Sequence, residues 1–310
     1  MKDSFKSEKL AYYYLDMKKQ LIRPKQNFHK IDKNGVLMFK IPWTTNYEHH
    51  PVSILHYALA NYQKYLDTKE KKHLKKFLTQ SEFLEKKLVK KDEFSVWEHH
   101  YRLPYHNFDR IPWIHGMVQG MGLSVFLRAY QETKEKKYLD ASEKILKSFK
   151  VDIKDGGIRY IDGNKNYWYE EYAILPPPHV LNGFIYALFG VYDYYRVTKD
   201  KEAKEIWDMG IKTIEENLEK YDAGYWSYYS LNKKQPTNLS YHKLHVEQLK
   251  ALYKITKKEI FKKYHGKWKK YTKKSSYKYK AILFKNLYSI KEHGLIKSFK
   301  RYRAMKKWEK

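Results

Sequence analysis

The sequence predicts a mostly α-helical protein built from four helical hairpins, with a small β element near the N-terminus. Four apolar segments recur along the chain, at residues 51–66, 113–131, 179–197 and 239–255. Each is followed by a more polar segment whose apolar residues recur at helical spacing, at residues 69–90, 134–149, 199–220 and 257–272. An apolar helix followed by an amphipathic helix predicts a buried helix covered by a surface helix.

One short phrase joins the two segments of each pair. It reads Tyr65-Leu-Asp-Thr-Lys69, Tyr130-Gln-Glu-Thr-Lys134, Tyr195-Arg-Val-Thr-Lys199 and Tyr253-Lys-Ile-Thr-Lys257. Its threonines are 65, 65 and 58 residues apart, so the chain repeats once per hairpin and connection. Four such hairpins predict an (α/α) barrel or toroid with inner and outer layers of helices. An open solenoid is the alternative.

The connections between the hairpins, at residues 91–112, 151–178 and 221–238, are long and rich in aromatic residues, and residues 26–50 form a further long segment before the first hairpin. Because the short turns all lie at one end of the hairpins, the long connections must gather at the other end. Long connections in a compact domain are usually functional. We therefore expect a groove at that end, with His99 and His100 either lining it or solvated.

The parts of the chain outside the predicted barrel, which spans residues 51–272, differ from it in character. Residues 1–50 combine a polar helix over residues 1–25 with a hairpin whose turn is Asp32-Lys-Asn-Gly35 and whose following strand is Val36–Ile41. Residues 273–310 form a basic tail with apolar residues at helical spacing. A basic amphipathic helix of this kind fits an anionic membrane surface. The alternatives are a further solvated helix and a nucleic-acid contact, and the second has no recognised motif behind it.

Composition limits the class of protein and its partners. The net charge of +28 indicates an acidic partner, which could be nucleic acid, an anionic membrane face or a polyanionic glycan, and we expect no nucleic acid. The 31 tyrosines exceed what packing needs, and a flat ring with a hydroxyl suits sugar recognition. The chain has no cysteine, no secretory signal and no long apolar span, so we expect a cytoplasmic protein, peripheral at most to the inner membrane face. A homodimer is left open.

The stretch from Asn166 to Tyr186 concentrates the features that suggest chemistry. Glu170, Glu171 and Tyr172 precede three prolines, which end in Pro178 and lead into an apolar helix. Because proline suits the first turn of a helix, we expect the helix to begin there, with both carboxylates at its positive end. The alternative is a lid whose carboxylates are merely solvated.

Residues 45–272 resemble the C-terminal catalytic domain of the D-glucuronyl C5-epimerases, the family that includes heparosan-glucuronate 5-epimerases. The resemblance rests on the segments Met117–Tyr130, Trp168–Tyr172, Val180–Leu188, Gly190–Asp193 and Tyr241–His245 with Gln248-Leu249. It implies an (α/α) barrel and inversion of C5 in a D-glucuronate unit of a polymer, giving L-iduronate without a cofactor. The matching catalytic positions are Glu171, Tyr172, Tyr229 and Tyr241, which we expect to converge on one groove.

The chemistry explains why such residues are needed. The hydrogen beside a carboxylate is a very weak acid, so the charge that develops must be stabilised in a dry, preorganised site. Inversion also requires a proton acceptor on one face of the ring and a donor on the other. We expect the substrate contacts to come from Arg110, Trp113, Gln119, Tyr169, Glu170, Asn182, Lys233, His242 and His245.

The sequence departs from the family pattern at two places. Tyr229-Ser-Leu-Asn232 stands where the family commonly has Tyr-Asp-Leu-Arg, and Leu239-Ser240 stands where it has Trp-Asp. A missing arginine weakens the expected carboxylate clamp, because lysine cannot reproduce its bidentate fork. Lys233, Arg110 or Lys243 could substitute, and a changed substrate is favoured.

Two alternatives accompany the epimerase interpretation. A uronate-polysaccharide lyase shares the proton abstraction but then expels the substituent at C4. A non-catalytic protein that binds acidic glycans or membranes would need no proton transfer. The pair His242 and His245 suggests a metal site, but the sequence has no HExxH motif and no carboxylate at ligand spacing, so we expect no metal.

Overall fold

The helices of the computed structural model follow the four predicted hairpins. The structure describes residues 5–21, 29–40, 46–101 and 111–293. The four pairs are α1 (Pro51–Thr68) with α2 (Lys71–Lys86), α3 (Gly116–Thr133) with α4 (Lys136–Lys147), α5 (Leu181–Thr198) with α6 (Lys201–Asn217), and α7 (Leu239–Thr256) with α8 (Glu259–Tyr271). A further helix, α9 (Ser275–His293), follows. The mostly α-helical class is therefore confirmed, while closure into a barrel stays a prediction.

The repeated phrase is the turn that ends the first helix of each pair. Lys134 has a left-handed φ of 63°, and its N–H donates to the carbonyl of Tyr130 at 2.8 Å. The hydroxyl of Thr133 accepts the N–H of Glu135 at 3.2 Å, which joins the end of α3 to the start of α4. Lys69, Lys199 and Lys257 repeat this geometry. The phrase is thus a helix C-cap, and its recurrence has a structural cause.

Small strands occupy the connections. The predicted hairpin is present as β1 (His29–Ile31) and β2 (Leu37–Lys40), with Gly35 at a φ of 82° in its turn, and β3 (Tyr47–Glu48) extends the sheet. Three two-stranded ribbons pair β4 (Val89–Lys90) with β5 (Ser95–Val96), β6 (Glu98–His99) with β7 (Trp113–Ile114), and β8 (Arg159–Ile161) with β9 (Tyr167–Tyr169). The last residue of the predicted strand, Ile41, lies outside the described residues.

The helix predicted over residues 1–25 is wrong for the described part, where only Lys18–Leu21 form a turn of 3-10 helix. Side chains of other elements bond this segment's backbone instead. The Nε of Arg128 donates to the carbonyl of Ala11 at 3.1 Å, and Gln131 accepts the N–H of Leu10 at 2.9 Å. Leu10 and Met17 are buried. Tertiary hydrogen bonds and burial have therefore overridden the local helical pattern.

The chain divides into two compact units. The first contains residues Met1–His179 and Gly183–Ile214, and the second contains Val180–Asn182 and Glu215–Lys310. In the first unit α3 and α5 cross in close contact, because a Cβ on Gly120 would overlap the backbone of Ala187 and one on Gly190 would overlap Gly120. None of the described helices is long and apolar enough to span a bilayer.

A buried ion network also holds the first unit. Asp193 accepts from Arg128 at 2.7 Å and from Arg196 at 3.1 Å, and all three side chains are almost fully buried. The hydroxyl of Tyr14 donates to the same carboxylate at 2.6 Å. Arg128 and Asp193, which both lie in the segments that carry the family resemblance, therefore tie the N-terminal segment to α3 and α5.

Candidate active site

The loop that carries Glu171 and Tyr172 is tied to the start of α3. The N–H of Gly116 lies 3.1 Å from the carbonyl of Glu170 and 3.0 Å from that of Glu171, and His115 pairs with Tyr172 in an antiparallel bridge. A Cβ on Gly116 would overlap the carbonyl of Glu170, so glycine is required for this approach. The close packing fixes the backbone on both sides of the Glu171 side chain.

The Glu171 carboxylate is buried beside a histidine. Its side chain packs against Gly183, where any Cβ would overlap Glu171, and only 3% of the residue is exposed. The Nε2 atom of His115 lies 3.7 Å from Oε1 of Glu171. Burial, together with smaller contributions from the nearby His50 and His56, lowers the pKa of His115 to about 3. The imidazole is therefore neutral at physiological pH.

Aromatic rings and a second histidine surround Tyr172. The ring of Tyr172 lies 5.3 Å from that of His115 and 5.8 Å from that of Trp113, and Trp113 stacks on His99 at 4.3 Å. His99 is buried, and neither of its ring nitrogens has a hydrogen-bond partner among the described residues. Burial lowers its pKa well below the ordinary value. The expectation of a solvated or groove-lining His99 is corrected, because its pairing with Trp113 in the β6–β7 ribbon turns it inward.

Glu170 and Tyr169 support the loop from within. Glu170 is buried and accepts the backbone N–H of His179 at 3.0 Å, and its Oε1 lies 2.5 Å from Nδ1 of that ring. Burial raises the pKa of Glu170, and the contacts with His179 partly offset this. Tyr169 is buried too, with its hydroxyl donating to the carbonyl of Ile206 at 3.2 Å. Both side chains are occupied within the protein, which favours a positioning role over the predicted contact with substrate.

The same contact explains where α5 begins. His179 has a left-handed φ of 52° and is held there by Glu170, so the chain cannot be helical through residue 179. The helix consequently begins at Leu181, and the prediction that Pro178 lies in its first turn is wrong.

In the second unit, Tyr229 and Tyr241 form an edge-to-face pair with ring centroids 5.2 Å apart. Asn238 caps α7, its side chain accepting the N–H of Tyr241 at 2.8 Å, so Tyr241 lies in the first helical turn. The backbone of Tyr229 is held from two sides, because its N–H donates to Gln235 and its carbonyl accepts from Leu181. Tyr241 is 39% exposed. The unit thus presents a partly accessible phenol at the positive end of a helix.

The two histidines that were predicted to contact substrate hold the loop that carries Tyr229. The hydroxyl of Ser227 lies 2.8 Å from Nδ1 of His242 and 3.0 Å from Nδ1 of His245. The Nε2 of His242 bonds the carbonyl of Trp268 at 3.0 Å. Burial lowers the pKa of His242 to about 4 and that of His245 to about 3. Both rings are fully buried, which favours bracing of the loop over contact with substrate.

The remaining predicted substrate contacts differ in burial. Gln119 is buried in α3 with its amide donating to the carbonyl of His115 at 3.3 Å, and Asn182 is buried with its carbonyl accepting from Gln248 at 2.9 Å. Lys233 is half-buried. Arg110 lies outside the described residues. Over the part of the chain that the structure describes, no three side chains of His, Asp or Glu are grouped to hold a metal ion.

The fold and these side chains define a class: mostly α-helical proteins of repeated helical hairpins, with buried carboxylates in a connection and a pair of tyrosines at the start of a helix. A family model described as the D-glucuronyl C5-epimerase C-terminus matches residues 91–270, which include Glu171, Tyr172, Tyr229 and Tyr241. The chain belongs to this family.

Two relatives illustrate the similarity. An uncharacterized protein of Methanocaldococcus jannaschii is 33% identical over 240 residues, which cover 72% of this chain and 77% of that protein. The D-glucuronyl C5-epimerase of Caenorhabditis elegans is 36% identical over 174 residues, which cover 50% of this chain but only 28% of that enzyme. The similarity to the enzyme thus concerns only part of that enzyme's length.

Proposed function

We propose that the protein is an isomerase that converts D-glucuronate units of a polysaccharide or lipid-linked glycan to L-iduronate by inverting C5. The observation that carries this proposal is that the family match spans all four predicted catalytic residues. The catalytic part would be residues 51–272, the reaction would need no cofactor, and its location would be the cytoplasm.

The reaction requires one base and one acid on opposite faces of the sugar ring. A base takes the C5 proton, and the electron pair of the broken C–H bond moves into the carboxylate of the uronate. An acid then delivers a proton to the other face of C5, and the electron pair returns to form the new C–H bond. We propose the carboxylate of Glu171 and the hydroxyls of Tyr172, Tyr229 and Tyr241 as the groups that exchange these protons.

The surroundings of these groups support the proposal. Glu171 is buried beside the neutral ring of His115, so a proton that it accepts is shielded from bulk water. Tyr241 combines an accessible ring with a position at a helix N-terminus, where a negative phenolate is stabilised. The buried residues Glu170, His242 and Ser227 hold the two loops, and such preorganisation is what a transition state of developing charge requires.

The experiment is solvent exchange. The protein is incubated in deuterated water with glucuronate polymers that differ in sulfation and acetylation, and the sugars are analysed by NMR. Deuterium at C5 of an intact chain, together with new L-iduronate signals, is the expected result. Glu171→Gln should lose the exchange, and Glu143→Gln, which changes an exposed carboxylate on α4, should retain it.

The other outcomes have distinct meanings. The absorbance of an unsaturated uronate together with a shortened chain would identify a lyase, because the same carbanion then expels the C4 substituent. Binding of the polymer with neither exchange nor cleavage would identify a glycan-binding protein and overturn the proposal.

A further inference from the structure

The last described helix exposes an apolar surface that none of the other described residues covers. Six of the twelve large apolar residues that are exposed in the described ranges lie in α9. They are Tyr279 at 71% exposure, Ile282 at 45%, Leu283 at 57%, Phe284 at 46%, Leu287 at 52% and Ile290 at 36%. By contrast, α8 buries its four aromatic side chains, Phe261, Tyr264, Trp268 and Tyr271. An exposed apolar surface of this kind on α9 indicates a site where a partner binds.

The helix is anchored through its opposite side. Ala281 is buried, the ring of Tyr277 meets that of Tyr271 at 5.5 Å, and the ring of Phe284 lies 6.1 Å from that of Tyr225. Lys280 adds a cation over the ring of Tyr225 at 4.4 Å. These contacts orient α9 on the second unit, so the direction of its outer face is set by packing.

The outer face is a single stripe between two rows of lysines. Tyr279, Ile282, Leu283, Leu287 and Ile290 fall within an arc of about 140°, at 100° per residue. Lys278 and Lys285 follow one edge of this arc, and Lys280 and Lys291 follow the other. Residues 262–310 together hold 18 Lys or Arg against two Glu.

We propose that this face of α9 binds the surface of an anionic lipid membrane, with the apolar stripe inserted at the level of the headgroups and the lysine rows beside the lipid phosphates. The apolar stripe and the lysine rows each favour a membrane over another kind of partner. A second copy of the chain would bring the lysine rows against each other, which is unfavourable. A soluble polyanion, such as an acidic glycan, would meet the lysines but leave the stripe in water.

The absence of cysteine from the chain allows a direct test. The variants Leu283→Cys, Leu287→Cys and Lys75→Cys, the last on an exposed site of α2, are each labelled with an environment-sensitive fluorophore. We expect a blue shift at positions 283 and 287, and none at position 75, when vesicles of phosphatidylglycerol and phosphatidylcholine are added. Vesicles of phosphatidylcholine alone should give a much weaker response.

Unlabelled variants measure the two contributions separately by vesicle cosedimentation. Leu283→Ser with Leu287→Ser should weaken binding roughly tenfold or more, because two apolar side chains no longer leave water. Lys278→Gln with Lys291→Gln should weaken it at low salt and reduce its salt dependence. Lys75→Gln with Lys76→Gln removes the same charge from α2 and should have little effect.

Three results would overturn the proposal. Unchanged vesicle binding by the serine variant would show that the stripe is not inserted. A dimer that the serine variant converts to a monomer, without lipid, would show that a second copy covers the face. Binding to soluble polyglucuronate that competes fully with vesicles and is indifferent to the serine substitutions would show a general polyanion site.

Discussion

The ring of Tyr229 meets the ring of Tyr241 edge to face, with 5.2 Å between their centroids. The two residues come from different elements, since Tyr229 belongs to the connection before α7 and Tyr241 to the first turn of that helix. The loop is held by Ser227, whose hydroxyl lies within 3.0 Å of a ring nitrogen of both His242 and His245. Two predicted catalytic tyrosines are thereby kept in contact by residues that are themselves buried.

Replacing Tyr241 by Phe should abolish C5–H exchange while leaving glycan binding nearly intact. The ring remains to pack on Tyr229, and only the group that transfers a proton is lost. We expect the exchange rate to fall about 10²–10⁴-fold. Tyr279→Phe, at an exposed position of α9, is the matched control and should exchange normally. Near-normal exchange by Tyr241→Phe would mean that Tyr241 only lines the groove and that proton transfer depends on Glu171 or Tyr229.

Combining Tyr241→Phe with Glu171→Gln tests whether both groups act on one sugar, which remains a prediction from the sequence. Groups that serve one proton-transfer sequence are strongly non-additive. The double variant should therefore exchange C5–H at about the rate of the slower single variant. Losses that multiply would indicate independent contributions and contradict a shared step.

Gly183→Ala should displace Glu171, because the new methyl group would overlap the Cβ, Cγ and Oε2 atoms of that side chain. We expect a loss of about 1–3 kcal/mol in the free energy of unfolding. A misplaced catalytic group should in addition slow exchange about 10²-fold. Gly163→Ala, which would meet nothing within 4 Å, should be close to neutral in both urea unfolding and exchange.

Asp193→Asn should destabilise the protein by about 3–5 kcal/mol, because Arg128 and Arg196 would lose the buried carboxylate that they share. Asp208→Asn removes an exposed carboxylate paired with Lys204 and should cost at most about 1 kcal/mol. Urea unfolding measures both. A small loss for Asp193→Asn, together with weakened glycan binding, would instead point to a substrate contact.

Stability should fall on acidification through the buried histidines. The pKa of His245 is lowered to about 3 by burial, while in the unfolded chain it has the ordinary value of about 6.5. The unfolded state therefore binds more protons between these values, so the stabilisation is complete above about pH 6.5 and is lost as the pH falls towards 3. Between pH 7 and pH 5 this one group should cost about 2 kcal/mol.

The variant that tests this assignment is His245→Gln, which cannot take up a proton. It should be less stable than the natural chain at pH 7, but its free energy of unfolding should change less between pH 7 and pH 5. The substitution His100→Gln, at an exposed position, serves as the control and should leave the pH dependence unchanged. An identical dependence in His245→Gln would mean that His245 is not a source of the acid sensitivity.

The sequence by itself determined the helical hairpins, the turns between them and the family. Each depends on short-range patterns: apolar spacing, the Thr133-Lys134 cap and its three repeats, and ordered segments such as Trp168–Tyr172. Only the tertiary structure showed which of the predicted site residues are buried against other residues and which are accessible. Glu170 and His242 resemble site residues in the sequence, yet both are buried against partners, His179 for the first and Trp268 for the second, that are nine or more positions away.

The N-terminal segment shows the same limit. Its apolar spacing favours a helix, but Arg128 and Gln131 bond its backbone from α3, more than a hundred residues along the chain. Burial and hydrogen bonding across such separations depend on how the whole chain packs, so the local spacing of apolar residues cannot predict them. For the same reason, the sequence could predict an apolar stripe in the tail but not which side of α9 is exposed. That was decided by the burial of Ala281 and by the contact of Tyr277 with Tyr271 of α8.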